Sequence, residues 1–329
     1  MKLSKIFAYI FAAIALIFEG YFGIVPFVSF VAQIILLSFA LFFLVWIFRR
    51  KIAAEWRSVI ARYVLSILVT IGILTTFFLS FIGYQYLVPG FVSDITLSHT
   101  GQQIVFIEMS HIAMPEFYSS KKSKIAALAA SGYTILVEGV RPGTHTNQAI
   151  FNQTLGFNFT PSLYETIADL IGLDSQDNTL LFAGIASGSL VSVDLSIDEI
   201  ISIMGSGGQL PESTGSLIDL ESQIRATTSI LTQREQLFIS WVSRSLLNWS
   251  LRRAGDIDSL LSSSSQSRLF ETIIDRRNDA IVEYIQSHPK QNIAVVYGAL
   301  HFNGVYASLQ QLDPKWMITE IENHKPYSR

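Results

Sequence analysis

Residues 102–108 (QQIVFIE), 120–131 (SKKSKIAALAAS) and 133–138 (YTILVE) are the stretch of sequence that decides the fold. The first and third segments are short apolar runs next to turn-forming residues, which is the pattern of strands buried on both faces. The segment between them predicts an amphipathic helix that ends at Gly132. Strand, helix and strand in this order predict a βαβ unit and therefore an α/β fold.

The remainder of the C-terminal region continues the alternation of strands and helices. Further strands are predicted at Asn292–Tyr297 (NIAVVY), Leu180–Ala183 and Leu190–Val193. Helices are predicted at Leu163–Ile171, Asp198–Met204 and Phe270–Ser287, together with a mainly helical stretch over Ser216–Arg253. The predicted fold class is an α/β (α+β) domain with a central, largely parallel sheet flanked by helices, preceded by N-terminal transmembrane helices.

The N-terminal part of the chain predicts a membrane region. No charged residue lies between Glu19 and Arg49, or between Arg62 and Asp94, and each gap exceeds the roughly 20 apolar residues that a membrane helix needs. About three helices are expected, over residues 4–23, from about 26 to 48, and over 60–88. The predicted domains are therefore a membrane region, 1–88, and a water-soluble α/β domain, 89–329. The apolar run 6–18 alternatively resembles a signal peptide, although no good cleavage site follows it.

Basic residues predict the orientation of these helices. Arg49, Arg50, Lys51, Arg57 and Arg62 cluster between the second and third predicted helices. The positive-inside rule places this loop in the cytoplasm, so the domain after residue 88 lies on the extracytoplasmic side of the plasma (inner) membrane. The lipid bilayer is thus the first expected partner.

Composition excludes several classes of function. The chain has no cysteine, which excludes disulfides, thiolate nucleophiles and zinc sites built on cysteine. Its formal net charge is −3, and no basic stripe is present in the soluble part, so nucleic acid is not an expected partner. The oligomeric state is left open.

Three residues lie at the carboxyl ends of predicted buried strands: His111 and His301 come just after their strands, and Glu138 is the last residue of YTILVE. In open α/β sheets ligands bind at the carboxyl ends of the strands, so these side chains are candidates for one site. Two imidazoles and a carboxylate suit a divalent metal ion with an open coordination position, or Glu138 acts as the general base. Alternatively, each histidine is a hydrogen-bonding loop residue and Glu138 an ion-pair partner or helix cap.

The order of these motifs resembles the TraB/GumN/TIKI superfamily, which is more distantly related to erythromycin-esterase-like and ChaN-like proteins. The resemblance rests on the strand before His111, on the strand that ends at Glu138, on Arg277-Asn278 in a late helix, and on Gly298-Ala299-Leu300-His301. It implies a metal-dependent, peptidase-like hydrolase that uses manganese or cobalt, and zinc also suits these ligands. Arg277 would then stabilise an oxyanion, or else form a surface salt bridge; Asn278 would hold a substrate carbonyl, or face solvent.

The first histidine motif departs from the family pattern. It is Glu108-Met109-Ser110-His111, with glutamate where glycine is expected. Glu108 joins His111 in a substrate site only if the strand ends between them, because residues three apart on one strand point to opposite faces. Asp194, in the segment VSVDLS, has the acidic character of the family and a weaker claim to a role.

The main hypothesis is therefore a membrane-anchored hydrolase of peptide or amide bonds, with a peptide or small-molecule substrate. His111, Glu138 and His301 would bind the metal ion, and Arg277 would stabilise the developing negative charge. The first alternative is a non-catalytic protein of the TraB type that captures a signalling peptide. The second is haem or iron handling, as in ChaN-like proteins.

Overall fold

The computed structural model describes residues 76–158, 160, 162–206, 218–253 and 265–327, with the backbone alone for 265–272. The chain divides into two compact units. One comprises Met1–Val88 and Thr228–Leu246, and the other comprises Pro89–Thr227 and Leu247–Arg329. The second unit contains the sheet and the candidate site.

In the first unit, residues 76–87 are helical, and the rings of Tyr86 and Trp241 lie 6.4 Å apart. The first two predicted membrane helices, and most of the third, lie outside the described residues. Within the part of the chain that the structure describes, no helix combines the length and the apolar character that crossing a bilayer requires. The membrane region therefore stays a prediction.

The second unit alternates strands with helices. Its strands are β1 (Val92–His99), β2 (Gln102–Met109), β3 (Ile112–Ala113), β4 (Thr134–Val137), β5 (Asp174–Ser175), β6 (Leu190–Val191), β7 (Ile293–Gly298) and β8 (Met317–His324). The helices of the described chain after Val88 are α1 (Pro115–Ala130), α2 (His145–Leu155), α3 (Leu163–Ile171), α4 (Asn178–Leu181), α5 (Ile197–Ser206), α6 (Leu220–Ile230), α7 (Gln233–Arg252), α8 (Ser265–Ser287) and α9 (Phe302–Leu312).

The main sheet has six strands in the order β6-β4-β7-β2-β1-β8. The pairs β6–β4, β4–β7 and β7–β2 are parallel, whereas β1 runs antiparallel to both β2 and β8. This confirms the predicted α/β domain with a mostly parallel central sheet. The strands β1 and β8 were not predicted. The sequence of each is polar at several positions, and the two strands pair with each other although they lie at opposite ends of the domain in the sequence.

Both faces of the sheet are covered. Ile104 and Phe106 of β2 pack on one face with Ile281 of α8 and Val305 of α9. The alternate residues of β2 pack on the other face with α1. A sheet with helices on both faces needs strands that are apolar throughout, which explains the continuous apolar runs in the sequence.

One predicted element has a different structure. Leu180–Ala183 was expected to be a strand, but residues 178–181 form the helix α4. The Asp177 carboxylate accepts hydrogen bonds from the backbone N–H groups of Thr179 and Leu180, at 2.8 and 3.1 Å. This N-cap favours a helical turn and outweighs the strand-like run of apolar residues.

Candidate active site

The carboxyl ends of three parallel strands meet at one edge of the sheet. The last residues of β2 and β7, Met109 and Gly298, are partners in the register, and Val137 of β4 pairs with Val296. Glu138, His111 and His301 follow these strand ends, as the sequence predicted. A cavity of about 820 Å³ lies at this edge, and all three of these side chains, together with Arg277, line it.

Arg277 of α8 links two buried carboxylates. Its Nε and Nη2 donate to the two carboxylate oxygens of Asp194, both at 2.6 Å, and Nη2 also donates to Glu138 Oε1 at 2.7 Å. The Asp194 side chain is 0% exposed and that of Glu138 is 10% exposed. Arg277 is therefore a buried member of the site rather than a surface salt-bridge residue, and its Nη1 has no hydrogen bond to a described residue.

Asp194 is more central than the sequence indicated. Its carboxylate also accepts hydrogen bonds from the backbone N–H groups of Gly139 and Leu195, at 3.0 and 2.9 Å. With the bidentate bond from Arg277, the carboxylate is fully engaged with the protein. Asp194 therefore fixes the direction of the guanidinium and does not face a ligand.

Glu138 is held as a carboxylate. Its Oε2 accepts a hydrogen bond from the backbone N–H of Gly298 at 2.6 Å. Burial by itself raises the pKa of this carboxyl, but the interaction with His301 and the positive charge of Arg277 hold the pKa well below its ordinary value. Glu138 thus stays ionised at neutral pH and presents Oε1 to the cavity.

His301 lies beside Glu138 and is oriented by Asn278. Its Nδ1 is 2.8 Å from Asn278 Oδ1, and its Nε2 is 3.6 Å from Glu138 Oε1. If Nδ1–H donates to the amide oxygen, the lone pair of Nε2 is directed towards Glu138 and is available to a proton or a metal ion. The tautomer follows from this hydrogen-bond assignment.

His111 is the most exposed member of the site. Its ring lies 4.9 Å from that of Tyr164, and its backbone carbonyl accepts a hydrogen bond from the N–H of Gln176 at 2.9 Å. The preceding residue, Ser110, is held by Tyr118 and Tyr327, whose hydroxyl oxygens lie 2.9 Å from its carbonyl oxygen and its Oγ. The segment that carries His111 is therefore fixed on both sides.

Two of the three predicted metal ligands fit one ion. Glu138 Oε1 and His301 Nε2, 3.6 Å apart, can both reach a single ion at the usual bond length of about 2.1 Å. Two carboxylates and one guanidinium also leave one negative charge for a cation to balance. His111 does not complete a compact trio, because Asp94, Glu322 and His324 form the only trio with all donor atoms within 4.8 Å in the part of the chain that the structure describes.

That other trio is already neutralised by lysines. The ammonium groups of Lys121 and Lys124 lie 2.5 and 3.0 Å from the carboxylate of Asp94, which also contacts His324 at 2.9 Å. Lys121 is 0% exposed, so its charge depends on this pair. A metal ion at Asp94 would have to displace these cations, and the trio is best described as part of a buried ion-pair network.

Glu108, predicted to contribute to substrate binding, is not brought to the cavity. Strand β2 ends at Met109, between Glu108 and His111, but Glu108 itself still belongs to the strand, and its Oε2 accepts a hydrogen bond from the N–H of Ser93 in β1 at 2.6 Å. Burial raises the pKa of Glu108 to about 7, although the Ser93 N–H and the charge of Lys121 oppose the increase.

Glu108 is expected to make the protein less stable as the pH rises from about 4.5 to 7. In this window the folded state keeps a proton that the unfolded state has lost, so the free energy of unfolding falls. Glu108→Gln should therefore stabilise the protein by about 1–3 kcal/mol at pH 8 and have little effect at pH 5. Denaturant unfolding at the two pH values measures this, with the exposed Glu283→Gln as control. An equal effect at both pH values would contradict the expectation.

Asn278, the second predicted substrate-binding residue, has a different role. It is 3% exposed, and its amide oxygen contacts His301 rather than the cavity. Gly304 of α9 makes this position possible, since a Cβ at Gly304 would overlap the Asn278 amide nitrogen. Asn278 is therefore a positioning residue for His301.

Gly304→Ala should destabilise the protein by about 1–3 kcal/mol, because the new methyl group displaces the buried Asn278 amide. In a helix interior, replacing glycine with alanine usually raises the free energy of unfolding by about 0.5–1 kcal/mol, so the sign of the change in stability is itself informative. Gly83→Ala is the matched control, since Gly83 also lies in a helix, residues 76–87, and a Cβ built there meets no atom beyond its own chain neighbours within 4 Å. Thermal or denaturant unfolding measures both, and a gain in stability for Gly304→Ala would show that Asn278 is not held in place.

Comparisons with known proteins leave the family open. The chain matches no protein-family model, no curated protein and no solved structure. The resemblance to the TraB/GumN/TIKI superfamily therefore stays a prediction from the motifs.

Proposed function

We propose that the chain is a membrane-anchored, metal-dependent hydrolase that cleaves peptide or amide bonds outside the cytoplasm. The observation that carries the proposal is the gathering of Glu138, Arg277, His301 and His111 in one cavity. Arg277 lies 139 positions from Glu138 and 83 from Asp194 in the sequence, and it still forms close ion pairs with both. Isolated buried charges are costly, and such clusters are typical of functional sites.

Each residue has a separate task in this proposal. Glu138 and His301 would hold a divalent ion, for which manganese or cobalt is favoured and zinc is possible. Such an ion, when bound, polarises a carbonyl and lowers the pKa of its water. Arg277 offers Nη1 to the oxyanion that develops on the substrate carbonyl. His111, more exposed and outside the compact donor pair, would transfer a proton to the leaving amine.

The experiment is a search for hydrolysis by the full chain. The purified protein, reconstituted in lipid nanodiscs, is treated with a chelator and assayed with a library of peptides and acyl 4-nitroanilides, with and without added Mn²⁺, Co²⁺ or Zn²⁺. We expect cleavage of at least one class of amide, restored by one of these ions, and cleavage at least about 100-fold slower by a His301→Ala variant prepared in parallel. Absence of cleavage under all these conditions contradicts the proposal.

A further inference from the structure

The walls of the cavity are apolar, whereas its floor, at the ends of the strands, is polar. The charged and polar groups Glu138, Arg277, His111 and His301 lie together at the strand ends. The walls are mostly apolar and include Phe151 and Leu155 of α2, Ile200 and Met204 of α5, and Ile273 of α8. A volume of about 820 Å³ is in the upper part of the range of roughly 300–1,000 Å³ for ligand pockets. The cavity is therefore large enough for an apolar group of considerable size.

Two large apolar side chains of the lining remain partly in contact with solvent. Val140 is 39% exposed and Leu300 is 49% exposed, and each is close in sequence to a site residue, Glu138 and His301. Apolar surface that is left exposed next to a polar site is typical of ligand-binding surfaces. An apolar ligand would remove this surface from water.

The floor selects the polar part of the ligand. Glu138 and Asp194 each carry a negative charge and Arg277 a positive one, so the cluster has a charge of −1 before any histidine is protonated. An uncharged carbonyl can accept hydrogen bonds from the Nη1 group of Arg277 without adding charge to the site.

We propose that the substrate is an uncharged amide with a long aliphatic acyl chain, whose carbonyl lies at Arg277 and whose chain lies along the apolar walls. This rests on the proposed function, which supplies the reaction: the oxygen of water bonds to the carbonyl carbon, the C–N bond breaks, and the amine leaves with the bonding electrons and a proton. A polar peptide fits the walls poorly, because its backbone groups would lose water without gaining partners.

The test compares butanamide with octanamide, which share a head group and differ by four methylenes. Binding to the full chain in nanodiscs is measured by titration calorimetry, with protein-free nanodiscs subtracted. Turnover is measured as ammonia release with added Mn²⁺, Co²⁺ or Zn²⁺. At about fourfold per buried methylene, octanamide should bind about 250-fold more tightly.

Variants of the cavity lining test the place of binding. Leu300→Glu and Val140→Glu put a carboxylate where the chain should lie, and each should weaken octanamide binding at least tenfold. Leu312→Glu is the control, because Leu312 is also exposed, at 57%, and does not line the cavity. Circular dichroism of the three variants checks that each is folded.

The outcomes separate this proposal from the proposed function. Equal affinity for the two amides, or equal effects of the lining and control variants, overturns the assignment of an apolar acyl chain. Tight, chain-length-dependent binding without ammonia release supports the ligand class and contradicts hydrolysis, and it favours capture. Cleavage of polar peptides with no preference for octanamide supports the hydrolase and overturns the acyl chain.

Discussion

Replacing Arg277 with methionine is expected to lower the free energy of unfolding by about 3–5 kcal/mol. The substitution leaves two carboxylates without their cation, and Asp194 is 0% exposed. A buried charge that loses its partner keeps the full cost of its desolvation, which is why removing one member of a buried ion pair is more harmful than removing both. Denaturant unfolding of the full chain in a non-ionic detergent measures the loss.

The neighbouring arginine supplies the matched control. Arg276 is 62% exposed in its side chain, and its one ion pair with a described residue is a long contact with Asp279 at 3.8 Å, so Arg276→Met should change stability by less than about 0.5 kcal/mol. The double variant Arg277→Met/Asp194→Asn should recover part of the loss, because one uncompensated charge is gone. Equal losses for the two arginine variants would mean that Arg277 is not buried among carboxylates.

Replacing His301 with alanine is expected to reduce kcat/KM for amide hydrolysis by at least about 100-fold, because one of the two donors that hold the metal ion is lost. The same variant should lose metal content, because Nε2 and Glu138 Oε1 are the donor pair that the geometry offers. The measurements are initial rates on the best amide substrate and metal analysis after dialysis.

Two comparisons make the His301 result specific. His145→Ala, at an exposed position of α2 outside the cavity, should keep full activity and metal content. His301→Ala should change the free energy of unfolding far less than Arg277→Met, since Arg277 still pairs with both buried carboxylates when His301 is lost. Unchanged rates and metal content in His301→Ala would remove the basis of the proposed function.

The Asn278–His301 contact bears on the activity and the metal content expected of the His301 site. It fixes the direction of Nε2 through a residue that never reaches the cavity, and it depends on the missing side chain at Gly304. A change at Gly304 therefore reaches the site through packing alone. A variant at Gly304 therefore tests the orientation of the His301 ring while the imidazole itself is kept.

The sequence by itself determined the α/β fold and the strand ends at which the site lies. The strands β2, β4 and β7 are buried on both faces, so they had to be continuous apolar runs, which are visible without any structure. The residues that follow them, His111, Glu138 and His301, could be named for the same reason. A strand end is a local feature, and parallel strands bring their carboxyl ends to one edge.

Only the tertiary structure decided which polar groups face each other. Glu108 accepts a hydrogen bond from Ser93 of the neighbouring strand β1, and Asn278 contacts His301 because Gly304 leaves room. Asp194 reaches Arg277 over 83 positions of sequence, a distance at which no local pattern specifies a contact. The periodicity of a sequence encodes which face of an element is buried, whereas the partner of a buried charge is set by the packing of distant elements. The chemistry of this site depends on the packing of distant elements.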